Sequence, residues 1–128
     1  MFETPDLIRL ADRLATHAGA RTGLIAENVA NADTPGYHAR TLPDFAELVA
    51  AAPVPMRATR TGHVTDSLPG RDALRATTAT GEASMNGNTV SLEREMVAAV
   101  AARQQHEMAL AIRSATANVI RAALGRSS

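Results

Sequence analysis

Two stretches of this chain, residues 1–32 and 89–125, space their apolar side chains three or four positions apart, and most of those side chains are small. Such spacing predicts amphipathic helix. In the first stretch Leu7, Ala11, Leu14, Ala18, Thr22, Ile25, Val29 and Ala32 share one seam, with arginines and acids mostly on other faces. In the second, Leu92 and Met96 lead into Val97, Ala101, Gln104, Met108, Ala111, Ala115, Val119 and Ala122, and Leu110, Ala117 and Leu124 form a neighbouring stripe. A narrow seam of small residues suits the close approach of another helix better than packing on a broad core. The larger seam residues, Leu7, Leu14, Ile25, Val29, Leu92, Met96, Val97, Met108 and Val119, are therefore expected to carry assembly.

The ends of both helices carry matching signals. Thr4 can cap the first, Pro5 suits its opening turn, and Asp6 favours the positive end of the dipole. Ser91 can cap the second, Glu93 and Glu95 follow in its first turn, and Arg121 and Gly125 provide its stop. Between the helices, residues 33–42 read as a turn and connector, and Pro43-Asp44 leads into a short helix at 43–52. Residues 53–88, rich in Thr, Ala, Gly, Pro, Ser and Arg, show no sustained period and read as an extended, disordered or weakly β-structured loop. The predicted fold is mainly α, with long N- and C-terminal helices pairing as a coiled-coil-like layer around an extended, partly irregular central segment.

Composition limits what such a fold can do. Of 128 residues 45% are hydrophobic, yet 27 are alanine and only Phe2, Phe45 and Tyr37 are aromatic. Alanine buries little area, so a chain like this is expected to complete its core with partners. It has no cysteine, and all 13 basic residues are arginine, which removes thiol chemistry, lysine nucleophiles and the phosphate-loop lysine. Thirteen acids balance the arginines, against a nucleic-acid footprint. The central arginines Arg57, Arg60, Arg71 and Arg75 face only Asp66 and Asp72, a mild excess that suits a solvated loop or an acidic partner surface. His17, His38, His63 and His106 lie far apart, without metal-ligand spacing, and His17 and His106 read as solvated helix residues. No catalytic residue, cofactor or metal is expected. The N-terminus lacks the pattern of a cleaved secretory signal, and no apolar run is long enough to insert in a membrane.

The most informative segment ends the first helix. Asn28 and Asn31, the latter between Ala30 and Ala32, tolerate the left-handed conformation that ends helices and place a stop near the end of the first helix. Pro35-Gly36 fits the central positions of a type II turn, with positive φ at Gly36, preceded by Thr34 in extended geometry and by Asp33, whose carboxylate can accept backbone hydrogen bonds. Tyr37 follows the bend, its ring placed to anchor the connector and its hydroxyl in need of a polar partner.

Ala30-Asn31-Ala32-Asp33-Thr34-Pro35-Gly36-Tyr37 resembles the Ala-Asn-x-x-Thr-Pro-Gly-Tyr signature of the bacterial flagellar rod, hook and hook-filament junction proteins. Gly87-Asn88-Thr89-Val90-Ser91-Leu92-Glu93-Arg94-Glu95-Met96, Tyr37-His38-Ala39-Arg40 and the short middle are most similar to the proximal rod subunits of that family. Ser91 and His38 stand where an acid and a basic residue are more usual. The resemblance implies a structural subunit of the flagellar basal body, in the rod that crosses the periplasm, passing torque from the membrane ring to the distal rod. It also implies export by the flagellar type III apparatus without signal cleavage, and self-association. Further contacts would be with other proximal rod subunits and the rod-to-ring adapter FliE. Another rod subunit of the same family, or a cytoplasmic coiled-coil adaptor or export chaperone, are the competing readings.

Overall fold

A computed structural model describes residues 4–51 and 74–125 of the chain. Arg57, Arg60, His63, Arg71 and most of the loop expected at 53–88 lie outside the described residues. In chain order the elements are helix α1 (Thr4–Ala30), strand β1 (Arg40–Thr41), helix α2 (Phe45–Ala50), strand β2 (Thr77–Thr78) and helix α3 (Leu92–Ala123). The fold is mainly helical: α1 and α3 pack along one another, and the middle is less regular. At ~1.5 Å per residue the two long helices run roughly 40 and 48 Å.

α1 packs chiefly on α3. An ion pair of 3.2 Å between Asp12 and Arg113 and a hydrogen bond of 3.1 Å from Asn28 Nδ2 to Glu95 Oε1 fix the two helices as antiparallel. One series of buried residues recurs every seven positions on each helix, Ala11, Ala18 and Ile25 on α1 and Ala102, Ala109 and Thr116 on α3. Antiparallel pairing puts the two series in the same stretch. A seven-residue repeat keeps one face of each helix toward the other, and alanine allows the backbones close together. The buried Thr116 hydroxyl needs no partner on α1, because it donates to the Ile112 carbonyl within its own helix at 2.8 Å.

On α3 the face against α1 is not the one the larger apolar residues predict. Leu92, Met96, Val97, Met108 and Val119 remain exposed, Val97 by 72% and Met96 by 69%. The helix turns Ala102 and Ala109 to its partner, and small side chains there permit a short separation. On α1, Ile25 is buried, Leu7 and Leu14 are half-buried, and Val29 is exposed.

His17 also departs from the solvated role expected of it. It is 2% exposed, its Nε2 donates to the Pro43 carbonyl at 2.9 Å, and its ring stands 5.6 Å from that of Phe45. Because a carbonyl can only accept, the bond assigns the proton to Nε2. The connector is thereby held on α1 just before α2. α2 itself buries none of its residues. At the termini of the long helices, Thr4 is the first residue of α1 instead of its cap, and Ser91 caps α3 through its backbone, with no side-chain hydrogen bond.

The strands join the connector to the segment preceding α3. Arg40 stands opposite Thr78 and Thr41 opposite Thr77 in an antiparallel pair, extended by a bond from Ala79 N–H to the Ala39 carbonyl at 2.8 Å. Ala39 and Leu42 are buried beneath this ribbon.

Candidate functional site

The residues singled out between Asn28 and Tyr37 lie where α1 ends and α3 begins, and they form a polar joint. Asn28 lies inside α1 and does not stop it. Its side chain is 2% exposed and all its hydrogen-bonding positions are used. The amide Nδ2 donates to the Arg40 carbonyl at 2.8 Å and to Glu95, while Oδ1 accepts from Arg40 N–H at 2.9 Å and from the Tyr37 hydroxyl at 3.3 Å. The carboxamide thus pairs with both polar groups of the Arg40 peptide, as a neighbouring strand would. It closes the edge of β1 that β2 leaves open.

Asn31 ends the helix. Its N–H is shared between the Glu27 and Asn28 carbonyls, its Nδ2 donates to Glu27 at 2.8 Å, and its Oδ1 accepts from the Thr34 hydroxyl at 3.2 Å. Asn31 therefore does the bracing expected of Asp33, which is exposed and accepts no hydrogen bond among the described residues. Ala30, Thr34 and Pro35 are exposed as well. Gly36 has φ 71°, and Tyr37 N–H donates to the Thr34 carbonyl at 3.3 Å, closing the Pro35-Gly36 turn.

Against this turn lies a second one that sequence reasoning did not assign. Ser84 and Gly87 close it, and Gly36 N–H donates to the Asn86 carbonyl at 2.9 Å. Gly87 has φ 79°, and a Cβ there would sit 3.5 Å from Gly36 Cα, so the two turns touch backbone to backbone. Next comes Asn88, 3% exposed, whose Nδ2 reaches the carbonyls of Asn31, Ala32 and Thr34 at 2.9, 2.9 and 2.8 Å. Two hydrogens serve three acceptors, and its Oδ1 accepts from Val90 N–H at 2.7 Å. Thr89 completes the joint by accepting from Ala39 N–H at 2.9 Å and donating its own N–H to Tyr37 at 3.0 Å. The local sequence signal for Asn88 is only its place after a turn glycine, which does not distinguish a buried asparagine from a solvated one.

Tyr37 is half-buried against the helices, and its hydroxyl also lies 3.5 Å from Glu27 Oε1, which pairs with Arg40 at 3.2 Å. Burial first, and the Glu27 carboxylate second, push the phenol above its ordinary pKa. Here the donors and acceptors saturate one another, so the joint sets geometry. Among the described residues no cluster of three metal-ligating side chains occurs, and no helix is long and apolar enough to cross a membrane.

The other half of the site is the outer face of α3. Val97, Met108 and Val119 lie on it with Gln104, Ala111, Ala115 and Ala122, all exposed. Glu93 begins this face one turn before Val97, while Arg103, Glu107, Arg113 and Arg121 occupy other positions around the helix, which leaves the stripe uncharged from Val97 to Ala122.

The chain is 32% identical over 107 residues, covering 80% of its own length and 80% of the relative's, to the flagellar basal body rod protein FlgB of Agrobacterium fabrum. No protein-family model matches it.

Proposed function

The chain belongs to the family of the flagellar basal body rod protein FlgB, and from that premise we propose that it is a structural subunit of the proximal rod. Its terminal helices join it to neighbours, and it carries torque from the membrane ring to the distal rod. The observation that carries this reading is the uncharged apolar stripe along α3, with Val97 72% and Val119 63% exposed. An exposed apolar face of that length marks an interaction surface. Copies of the same chain, other proximal rod subunits and the adapter FliE are the proposed covering partners. The helix seams then bury side by side, each weak alone, and subunit contacts add the folding free energy that an alanine-rich pair lacks. In this reading the flagellar export apparatus delivers the chain to the rod without signal cleavage, and the rod carries it across the periplasm. The proposed role is mechanical, with no catalytic step.

The absence of native cysteine gives a direct test. Val97→Cys and Val119→Cys are expected to react with maleimide in the purified chain and to be protected in isolated basal bodies. Cysteines in basal bodies that react as fast as in the free chain would overturn the use of this face. Recovery of the protein only from cytosol, bound to another export substrate, would favour the adaptor reading. Gly36→Val tests the joint. With nothing within 4 Å of the added Cβ, its penalty is the positive φ alone, and it should impair rod assembly more than export.

A further inference from the structure

The turn that carries Gly87 holds two neighbours able to react with each other. Met85, Asn86 and Gly87 lie between Ser84 and Asn88. Gly87 N–H donates to the Ser84 carbonyl and Ser84 N–H to the Asn88 carbonyl, both at 2.8 Å, and Gly87 stands at φ 79°. Asn86 is exposed, and it is the one asparagine of the chain followed by glycine. A glycine has no side chain to hinder its backbone nitrogen. At such a pair the asparagine carboxamide and the next backbone nitrogen can close into a cyclic imide.

In the closed joint both reacting groups are occupied. The Ser84 carbonyl holds the proton that Gly87 N must lose, and a carbonyl is no base to remove it. Asn86 Oδ1 accepts from the Ser84 hydroxyl and from Asn88 N–H at 3.0 Å, which fixes the rotamer of the carboxamide. Those two donors also draw charge from Cγ and so favour attack on it. The proton decides, because a nitrogen that keeps its hydrogen bond to Ser84 is not a nucleophile. The Asn86 carbonyl is held in turn by Gly36 N–H at 2.9 Å, and a Cβ on Gly87 would come within 3.5 Å of Gly36 Cα. The Pro35-Gly36 turn therefore restrains the Asn86-Gly87 turn.

We propose that Asn86-Gly87 is a modification site gated by the joint: the closed joint preserves the asparagine, and an open one admits conversion to isoaspartate, which stops the joint from closing again. In the open turn a solvent base takes the Gly87 proton, and the nitrogen attacks Asn86 Cγ. The Cγ–Nδ2 bond then breaks, and Nδ2 takes a proton from water and leaves as ammonia. Water opens the imide at either carbonyl, so the net change is water taken up and ammonia released. Opening at Cγ gives aspartate. Opening at the main-chain carbonyl gives isoaspartate, whose backbone runs through Cβ and is longer by a methylene. The group that accepted from Gly36 N–H has then become a free carboxylate. Asn88 no longer follows the turn at the spacing that carries its amide to the Asn31, Ala32 and Thr34 carbonyls. This chemistry needs only water and does not depend on what the chain assembles with.

The test follows the full chain by mass spectrometry at one mildly alkaline pH and one temperature, folded in buffer and unfolded in guanidinium chloride. Cleavage after arginine releases residues 76–94, which hold Asn86 and Asn88, and fragmentation between the two locates the change. Conversion at Asn86 is expected to be about tenfold or more slower in the folded chain, in proportion to the time the turn spends closed. Gly36→Val, or Gly36→Ala should the valine chain not fold by circular dichroism, is expected to recover much of that difference from far away in sequence. Equal rates in the folded and unfolded parent, or a folded Gly36 variant that converts as slowly as the parent, would overturn the gate. Converted chains separate by their added negative charge, and the isoaspartate form should lose exchange protection at Thr89 N–H, which donates to Tyr37 in the closed joint. Isoaspartate chains that keep this protection would overturn the claim that the joint cannot close again.

Discussion

The α1–α3 seam and the joint at its end hold the chain by opposite means. The seam buries alanine at seven-residue steps, Ala11 and Ala18 against a stretch holding Ala102 and Ala109. Each methyl contributes about 1 kcal/mol or less. Sliding one helix by seven residues would set alanine against alanine again, so the seam brings the helices close without choosing where they stop. The joint does choose. Asn28 and Asn88 join α1, the connector and the start of α3 through bonds that one register alone satisfies. Close packing and register thus come from different residues, and substitutions can separate them.

Asn88→Ala should have the largest effect. It strips an N–H partner from the carbonyls of Asn31, Ala32 and Thr34 and leaves Val90 N–H without its acceptor. The Asn31 and Thr34 carbonyls keep the N–H groups of Thr34 and Tyr37, so the Ala32 carbonyl and Val90 N–H are left unsatisfied, and at about 1–3 kcal/mol each the total loss should be about 2–6 kcal/mol. Urea denaturation followed by circular dichroism, with hydrogen exchange at Val90, measures it. A loss below about 1 kcal/mol would mean that the seam fixes register unaided.

Next in size is Asn28→Asp, at about 2–4 kcal/mol. The substitution removes both amide donors and puts a buried carboxylate beside Glu95. Burial and the like charge would raise the new group's folded-state pKa above its unfolded value of about 3.9. Stability is then present below that unfolded value and lost as pH rises through the folded one, so the deficit should grow from pH 4 to 7. A pH-independent deficit would place the new side chain in water. Ala109→Leu tests the seam instead. It should cost about 1–3 kcal/mol by forcing the helices apart, while leaving exchange protection at Val90 intact. Loss of protection there would show that seam and joint are one unit.

The same division explains what could be read from the chain beforehand. Helical periodicity survives any choice of partner, so both long helices and the irregular middle were legible from spacing alone. A bend that needs positive φ has few candidates, and Pro35-Gly36 is among the strongest. The packing face of α3 was hidden because apolar size points to Val97 and Met108, whereas closeness selects Ala102 and Ala109. His17 and Asn28 were misread for a related reason. Either is a reasonable surface residue until a backbone group from far along the chain, Pro43 or Arg40, arrives to satisfy it. Asn88 is farther still from its partners in sequence, and no local pattern reports such a contact.

Tyr37→Phe makes the smallest and most discriminating change, because it removes one oxygen from the joint and leaves its ring. The hydroxyl bond to Asn28 is long, 3.3 Å, and Glu27 at 3.5 Å competes for the same proton, so the expected loss is about 1 kcal/mol. Its dependence on pH carries more information than its size. The folded-state pKa is raised, by burial and by Glu27, above the ordinary value of 10.0. The phenol is therefore favoured in its neutral form by folding. Its contribution is fully present below about pH 10 and fades as pH rises through the folded-state value. Stability of the parent chain should fall faster than that of Tyr37→Phe above pH 10, and the two curves should converge. Parallel curves would show that the hydroxyl faces water in the folded chain, leaving Asn28 to hold the connector through Arg40 alone.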